Sequence, residues 1–309
     1  MSGAPGRFVR VDGVPLHVVV EGRGLVCVLS AGLAMAWFDW DEVAALLVAA
    51  GRTVVRFDRP GHGLSAPAAE PPTAAGEARR IAGLLHALSP DGTAAGVTVV
   101  GHSIAGFHAE AFARLYPERT AALVLVDSSV EEAPRALLPA GVRTGAALAL
   151  GRFLTAAGLP AALGPLARRA VVRASRTGGG DPAARDLVRR CYRTGRVCRG
   201  VLLENSRYTD AAAEVLALRA THPLTAPTTV LAGHDGSTGR GALRWLARQA
   251  ELADRLGARF EAVEPAGHLV MLDRPDQVAR AVVGGVARGG APARPPGLRT
   301  VTRRDQPRA

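Results

Sequence analysis

Short apolar runs alternate with helical segments along most of the chain. Runs rich in Val and Leu occupy residues 14–20, 25–29, 53–57, 97–100, 121–126 and 228–232, and a last predicted strand occupies residues 259–263. Apolar residues recur at helical spacing around residues 40–50, 77–88, 107–115, 240–256 and 275–286. Strands that are apolar along their whole length are typical of parallel sheets buried on both faces. The pattern therefore predicts an α/β fold with a mostly parallel, doubly wound sheet.

The alternation stops between residues 131 and 223. No strand stands out in this stretch, while residues 186–208 have a helical, arginine-rich pattern. We expect a helical cap at residues 131–223 over the edge of an α/β core formed by residues 1–130 and 224–288. Residues 289–309 contain four prolines and no apolar periodicity, which predicts a disordered basic tail.

Positive charge is concentrated in two stretches. All 38 basic residues are arginine, against 27 acidic residues. Residues 131–225 hold 15 arginines and 7 acidic residues, a net charge of +8, and residues 288–309 have a net charge of +5. Such an excess could attract nucleic acid or an anionic membrane. We expect a solvated surface and no nucleic-acid partner, because no groove-reading motif is present and the basic tracts lack interleaved aromatic residues.

The cysteines and apolar runs bear on location. Cys27, Cys191 and Cys198 form no C-x-x-C motif, and Cys27 lies in an apolar strand run. This usage suits a reducing compartment, so we expect a cytoplasmic protein. Residues 1–13 have no apolar signal core, and the chain has no uninterrupted apolar run of about 18 residues. We therefore expect neither secretion nor a membrane span.

One six-residue segment carries the strongest chemical signal. Gly-His-Ser-Ile-Ala-Gly at residues 101–106 follows the apolar run 97–100 and precedes the helical run 107–115. A strand, a sharp glycine-flanked turn and a helix together form a nucleophile elbow. We expect Ser103 to be the nucleophile, because the turn exposes its hydroxyl beside the backbone N–H groups of a helix start.

A serine nucleophile needs a base and an acid that orients it. His268 is the expected base, because it follows the last predicted strand in a tight Ala-Gly-His turn. Two residues fit the usual chain order of Ser, acid and His. We favour Asp235, after the run at 228–232, and keep Asp127, after the run at 121–126, as the alternative acid.

Acyl transfer also needs donors for the oxyanion, each worth about 2.7–4 kcal/mol of barrier height. The N–H of Ile104 is one expected donor, since it follows the nucleophile directly. The N–H of Leu33, after Gly32 in the first glycine-rich loop, is the other. We expect four residues to support the site: Gly32, Gly101, His102 and Ala105.

The order of these segments resembles the α/β-hydrolase superfamily over residues 8–287. The resemblance is strongest in Asp-Arg-Pro-Gly-His-Gly-Leu-Ser at 58–65 and Gly-His-Leu-Val-Met-Leu-Asp-Arg-Pro at 267–275. It implies that Ser103 is the nucleophile, His268 the base, and Asp235 or Asp127 the acid.

The chain departs from that superfamily's pattern at three positions. Ala31-Gly32 stands where His-Gly is frequent, and Ala105 stands where glycine is usual. One residue separates Gly233 from Asp235, where two are more common. Serine at the elbow argues against epoxide hydrolases and haloalkane dehalogenases, whose relatives use a carboxylate there.

These observations favour a serine hydrolase that cleaves small carboxylic esters through an acyl-enzyme on Ser103. We expect no metal and no organic cofactor, and nothing in the sequence indicates an oligomeric state. A thioesterase, an acyltransferase or a cofactor-free perhydrolase with the same triad is the enzymatic alternative. A catalytically silent ligand-binding protein of this fold is the alternative from another class.

Overall fold

The computed structural model describes residues 5–89 and 96–285. Its strands form one sheet in the order β1-β2-β4-β3-β5-β6-β7-β8. The strands are β1 (Arg7–Val11), β2 (Val14–Gly22), β3 (Val26–Ser30), β4 (Thr53–Phe57), β5 (Val97–His102), β6 (Thr120–Val126), β7 (Thr228–Gly233) and β8 (Arg259–Val263). Strand β2 is antiparallel to β1 and β4, and the other neighbours are parallel. This confirms the predicted fold class.

Helices cover both faces of the sheet. The described residues form α1 (Asp41–Ala49), α2 (Ala74–Leu88), α3 (Ala105–Leu115), α4 (Ala140–Ala156), α5 (Leu159–Ala174), α6 (Arg185–Tyr192), α7 (Gly195–Ser206), α8 (Tyr208–Thr221), α9 (Arg240–Leu256), α10 (Val270–Asp273) and α11 (Pro275–Gly285). Helices α2, α3, α8 and α9 contribute to the apolar cluster on one face. Helices α1, α10 and α11 contribute to the cluster on the other face.

The central strands are buried on both faces. In β5, Val99 packs into the cluster that contains α2 and α3, while Val100 packs into the cluster that contains α1 and α11. In β6, Leu123 and Val124 divide in the same way. Successive side chains of a strand point to opposite faces, so a strand between two helical layers is apolar at most of its positions.

Two local differences from the sequence expectations have simple physical reasons. Strand β1 was not predicted because it lies at the sheet edge, where Phe8 and both arginines of the strand are exposed. The helical segment predicted at 186–208 is divided into α6 and α7. The break occurs at Thr194, whose side chain caps the N–H of Val197 at 3.3 Å.

Five helices, α4–α8, lie between β6 and β7, where the cap was expected. Two of the prolines in this stretch lie at helix starts, whereas Pro165 lies inside α5. Pro139 precedes α4 and Pro160 lies in the first turn of α5, where a proline removes no helical hydrogen bond. The division into core and cap stays a prediction, and the tail predicted at 289–309 lies outside the described residues.

Two neighbouring leucines of α1 test the core assignment. Leu47 is fully buried and Leu46 is 41% exposed. We expect Leu47→Ala to lower the free energy of unfolding by about 2–5 kcal/mol, because it leaves a cavity between helix and sheet. Leu46→Ala is the matched control and should change it by less than about 1 kcal/mol. Denaturant titration measures both, and equal effects would contradict the packing.

Candidate active site

The pairing of β5 with β6 brings two candidate site residues together. His102 is the register partner of Val126, so Ser103 and Asp127 each follow directly after a paired residue at the same edge of the sheet. The N–H of Ser103 donates to the carbonyl of Val126 at 3.2 Å, and the N–H of Asp127 donates to the carbonyl of Leu231 at 2.7 Å. Both strand exits are therefore fixed by backbone hydrogen bonds.

The turn at Ser103 has the strained backbone of a nucleophile elbow. Its φ is +54°, a region that residues other than glycine rarely adopt. Helix α3 starts so close to the strand that a Cβ on Gly101 would lie 2.4 Å from the carbonyl oxygen of Ala105. Ala105 is fully buried in this turn, so the elbow accommodates its methyl group.

His268 lies between the other two side chains. Its Nε2 is 3.1 Å from Ser103 Oγ, and its Nδ1 is 2.6 Å from Asp127 Oδ2. His102 Nε2 donates to the carbonyl oxygen of His268 at 2.9 Å, which supports the loop that carries the ring. Burial, followed by repulsion between the two rings when both are protonated, holds the pKa of His102 well below its usual value. His102 is therefore a neutral supporting residue.

The Asp127 carboxylate is buried, with a residue exposure of 2%. Its Oδ1 accepts hydrogen bonds from the N–H of Gly233 at 2.9 Å and from Trp245 Nε1 at 2.8 Å. These two donors leave Oδ2 facing His268. Trp245 lies in α9, and sequence reasoning missed it because nothing along the chain links it to Asp127.

The expected pairing of Asp235 with His268 is corrected by the structure. Asp235 is exposed, and its Oδ1 accepts the N–H of Ser237 at 2.9 Å. This hydrogen bond lowers the pKa of Asp235. Asp235 therefore closes a surface turn beyond the end of β7, while Asp127 makes the hydrogen bond to His268 Nδ1.

The loop after β3 lies against the elbow. A Cβ on Gly32 would be 2.6 Å from His102 Nδ1 and 3.1 Å from Ser103 Cβ, so only glycine allows this approach. Leu33 follows Gly32 directly and Ile104 follows Ser103 directly, so both expected oxyanion donors are on segments that adjoin Ser103.

The buried Arg59 binds the backbone of the loop that contains Gly32. Arg59 donates to the carbonyl oxygens of Ala31 and Gly32, the second at 3.1 Å. The C=O of Gly32 and the N–H of Leu33 belong to one planar trans peptide and point in opposite directions. Arg59 therefore fixes the direction of the Leu33 N–H, which points away from the guanidinium.

The partner of Arg59 comes from the cap. Glu204 in α7 accepts from Arg59 Nε at 2.7 Å and from Arg59 Nη2 at 2.8 Å, and His62 Nε2 lies 3.2 Å from the same carboxylate. Burial raises the pKa of Glu204, but Arg59 and His62 outweigh it and hold that pKa well below its usual range. The ion pair ties the cap to the loop beside Ser103.

An apolar cavity of about 320 Å³ opens between this loop and the cap. Leu33 and Met35 form one wall. The opposite wall comes from cap residues that include Leu154, Leu159, Leu163, Val171, Val197 and Val201. The cavity is of the size and character that binds the apolar part of a small molecule.

The family of the chain follows from a comparison with protein-family models. The model described as the alpha/beta hydrolase family matches residues 25–281. The chain belongs to the alpha/beta hydrolase family. It is therefore a hydrolase, which confirms the resemblance drawn from the sequence.

No group of three or more His, Cys, Asp or Glu side chains in residues 5–89 and 96–285 is placed to hold a metal ion.

Solved structures similar to this hydrolase share its fold. A thermophilic esterase from Thermogutta terrifontis is 21% identical, with a TM-score of 0.68 over 91% of this chain and 98% of that one. The epoxide hydrolase CorEH is 20% identical, with a TM-score of 0.70 over 91% and 98%. An enol-lactonase from Burkholderia xenovorans LB400 is 22% identical, with a TM-score of 0.59 over 91% and 100%. No curated protein matches the chain.

Removing one partner of the Arg59–Glu204 pair should destabilise the hydrolase strongly. Glu204→Gln leaves a buried guanidinium without its counter-charge, so we expect a loss of about 3–5 kcal/mol in unfolding free energy. Asp276→Asn is the control, because Asp276 and its partner Arg280 are 50% and 72% exposed. The control should cost less than about 1 kcal/mol. A loss for Glu204→Gln as small as that of the control, measured by denaturant titration, would argue against a buried ion pair.

Proposed function

We propose that the protein is a serine hydrolase that cleaves carboxylic esters through an acyl-enzyme on Ser103. The observation that carries the proposal is the chain of hydrogen bonds from Asp127 through His268 to Ser103, with distances of 2.6 and 3.1 Å. A serine hydroxyl is a poor nucleophile unless a base within hydrogen-bond reach takes its proton.

The acylation step uses both ring nitrogens of His268. Ser103 Oγ attacks the ester carbonyl carbon while His268 Nε2 takes the hydroxyl proton. The resulting imidazolium is stabilised at Nδ1–H by Asp127, whose second oxygen is held by Gly233 and Trp245. Collapse of the tetrahedral intermediate breaks the bond to the alcohol oxygen, which receives the proton from His268.

Deacylation repeats the sequence with water as the nucleophile. His268 takes a proton from water as the water oxygen attacks the acyl carbon, and then returns that proton to Ser103 Oγ as the acyl–oxygen bond breaks and the carboxylic acid is released. In both halves the developing oxyanion would accept hydrogen bonds from the N–H groups of Leu33 and Ile104. The apolar cavity beside Leu33 would hold the acyl chain, so we favour esters with an apolar acyl group.

The roles of the two aspartates can be separated by matched substitutions. We expect Asp127→Asn to lower kcat for a p-nitrophenyl ester by about 10³–10⁴-fold, because His268 would lose the acceptor that sets its tautomer. Asp235→Asn should change kcat by less than about twofold, because its side chain faces solvent. Ser103→Ala should abolish both turnover and labelling by a fluorophosphonate. Full activity of Ser103→Ala, or a larger effect at Asp235 than at Asp127, would overturn the mechanism.

The close approach of Gly32 gives a second test. We expect Gly32→Ala to lower kcat by about 10²-fold, because the new methyl group would displace the loop that carries the Leu33 N–H. Gly141→Ala in α4 is the control, since a Cβ there meets no atom within 4 Å. Circular dichroism should show both variants folded. Unchanged kcat in folded Gly32→Ala would exclude this loop as an oxyanion donor.

A further inference from the structure

Helices α4 and α5 of the cap have their large apolar side chains on the outside. The buried positions of α4 are Ala147 and Gly151, and those of α5 are Pro160, Arg168 and Val172. Phe153 in α4 is 67% exposed and Leu166 in α5 is 62% exposed. The usual surface helix shows the reverse arrangement, with its large apolar residues turned inward.

The exposed apolar residues follow one stripe on each helix. In α4 they are Val142, Ala146, Ala149, Leu150 and Phe153, and in α5 they are Leu159, Leu163, Leu166 and Ala170. Except for the adjacent pair Ala149 and Leu150, the residues are three or four positions apart, which places each set on one side of its helix. Leu137 and Leu138, just before α4, are also exposed. We call this surface the outer cap face.

The outer cap face is continuous with the apolar cavity. Leu159, Leu163 and Val171 line the cavity and are also exposed to solvent. The opposite wall of the same cavity includes Leu33, which adjoins the candidate oxyanion donors. The apolar surface therefore extends from the outer cap face through the cavity to Leu33.

The charged side chains of α4 and α5 are all positive. Helices α4 and α5 contain five arginines and no acidic residue. Arg143 pairs with Asp210, and Arg168 pairs with Asp39. Three further arginines border the two stripes and have no acidic partner within the part of the chain that the structure describes: Arg152, Arg169 and Arg173.

We propose that the outer cap face docks on the surface of an anionic lipid bilayer, with Phe153 and Leu166 inserted among the acyl chains and Arg152, Arg169 and Arg173 against the head groups. Apolar side chains rimmed by arginine are the composition that binds at such an interface. No single described helix is long and apolar enough to cross a membrane, and α4 and α5 pass that test only when they are taken together across their bend of 107°.

The substrate class that docking implies rests on the proposed function. The cavity is lined both by residues of the docked face and by Leu33, whose N–H is an expected oxyanion donor, so an acyl chain that enters it from the bilayer would approach the loop beside Ser103. The substrate class is then a lipid-phase ester. Docking itself is measured without substrate, so failure of docking and failure of the esterase are distinguishable.

The test is cosedimentation of the full chain with phosphatidylcholine vesicles that contain about 30 mol % phosphatidylglycerol, at about 0.15 M salt. We expect Phe153→Ser with Leu166→Ser to lower the partition coefficient at least about tenfold, because two inserted side chains are lost. Leu46→Ser with Leu243→Ser is the matched control, since these leucines are 41% and 48% exposed outside the cap. The control should bind as the wild type does.

Each outcome decides the proposal. Both double variants keep the basic residues after residue 288, so a difference between their partition coefficients is due to the outer cap face alone. Neither Phe153 nor Leu166 lines the cavity, so turnover of a short water-soluble ester should be unchanged and also shows that the variant is folded. Equal binding by both double variants, or no binding by the wild type, would overturn the proposal. A wild-type dimer that Phe153→Ser with Leu166→Ser converts to a monomer, without vesicle binding, would assign the face to a second copy of the chain.

Discussion

The parallel pairing of β5 with β6 is the interaction on which the candidate site depends. Because His102 pairs with Val126, Ser103 and Asp127 leave the sheet side by side. Both have positive φ, +54° and +41°, so both strands turn sharply just where their hydrogen-bonded ladder ends. Such backbone conformations cost of order 1–3 kcal/mol each and persist only when the surroundings over-determine them. Here the surroundings are a sheet buried on both faces, which does not relax to relieve the turns.

This constraint explains why some of the site was predictable from sequence. The elbow at Ser103 and the turn at His268 are local: each consists of a strand, a glycine and a reactive side chain within a few residues. The choice between Asp127 and Asp235 is not local. Both follow strands and both lie between Ser103 and His268 in the chain, so order along the sequence does not distinguish them. The distinction comes from the strand order, which puts β6 next to β5 and β7 one strand farther away.

The residues that sequence reasoning missed all act across long separations. Trp245 reaches Asp127 across 118 residues, and Glu204 reaches Arg59 across 145. No periodicity or motif connects such pairs, since each depends on where helices α7 and α9 lie relative to the sheet.

The boundaries of helices α4 and α5 are hard to predict from the sequence for a different reason. In α4 the buried positions are the small residues Ala147 and Gly151, so its apolar residues show little helical period. In α5, Pro165 lies inside the helix, where proline is not expected.

The cap therefore has two surfaces with different consequences for the same site. Its inner surface supplies Glu204, whose charge keeps Arg59 buried and so fixes the peptide between Gly32 and Leu33. A buried pair of this kind gives little net stability compared with an apolar replacement, but losing one partner is costly. The Arg59–Glu204 pair serves to fix one geometry of the loop, because an oxyanion donor is effective only when it is already oriented.

The outer cap face carries apolar side chains, and their exposure to water costs free energy that only contact with a partner or a lipid phase would offset. Movement of α4 and α5 on such a partner would be transmitted to α7, which packs against both and carries Glu204. The proposed docking surface and the peptide that would bind the oxyanion would thus be coupled through one helix.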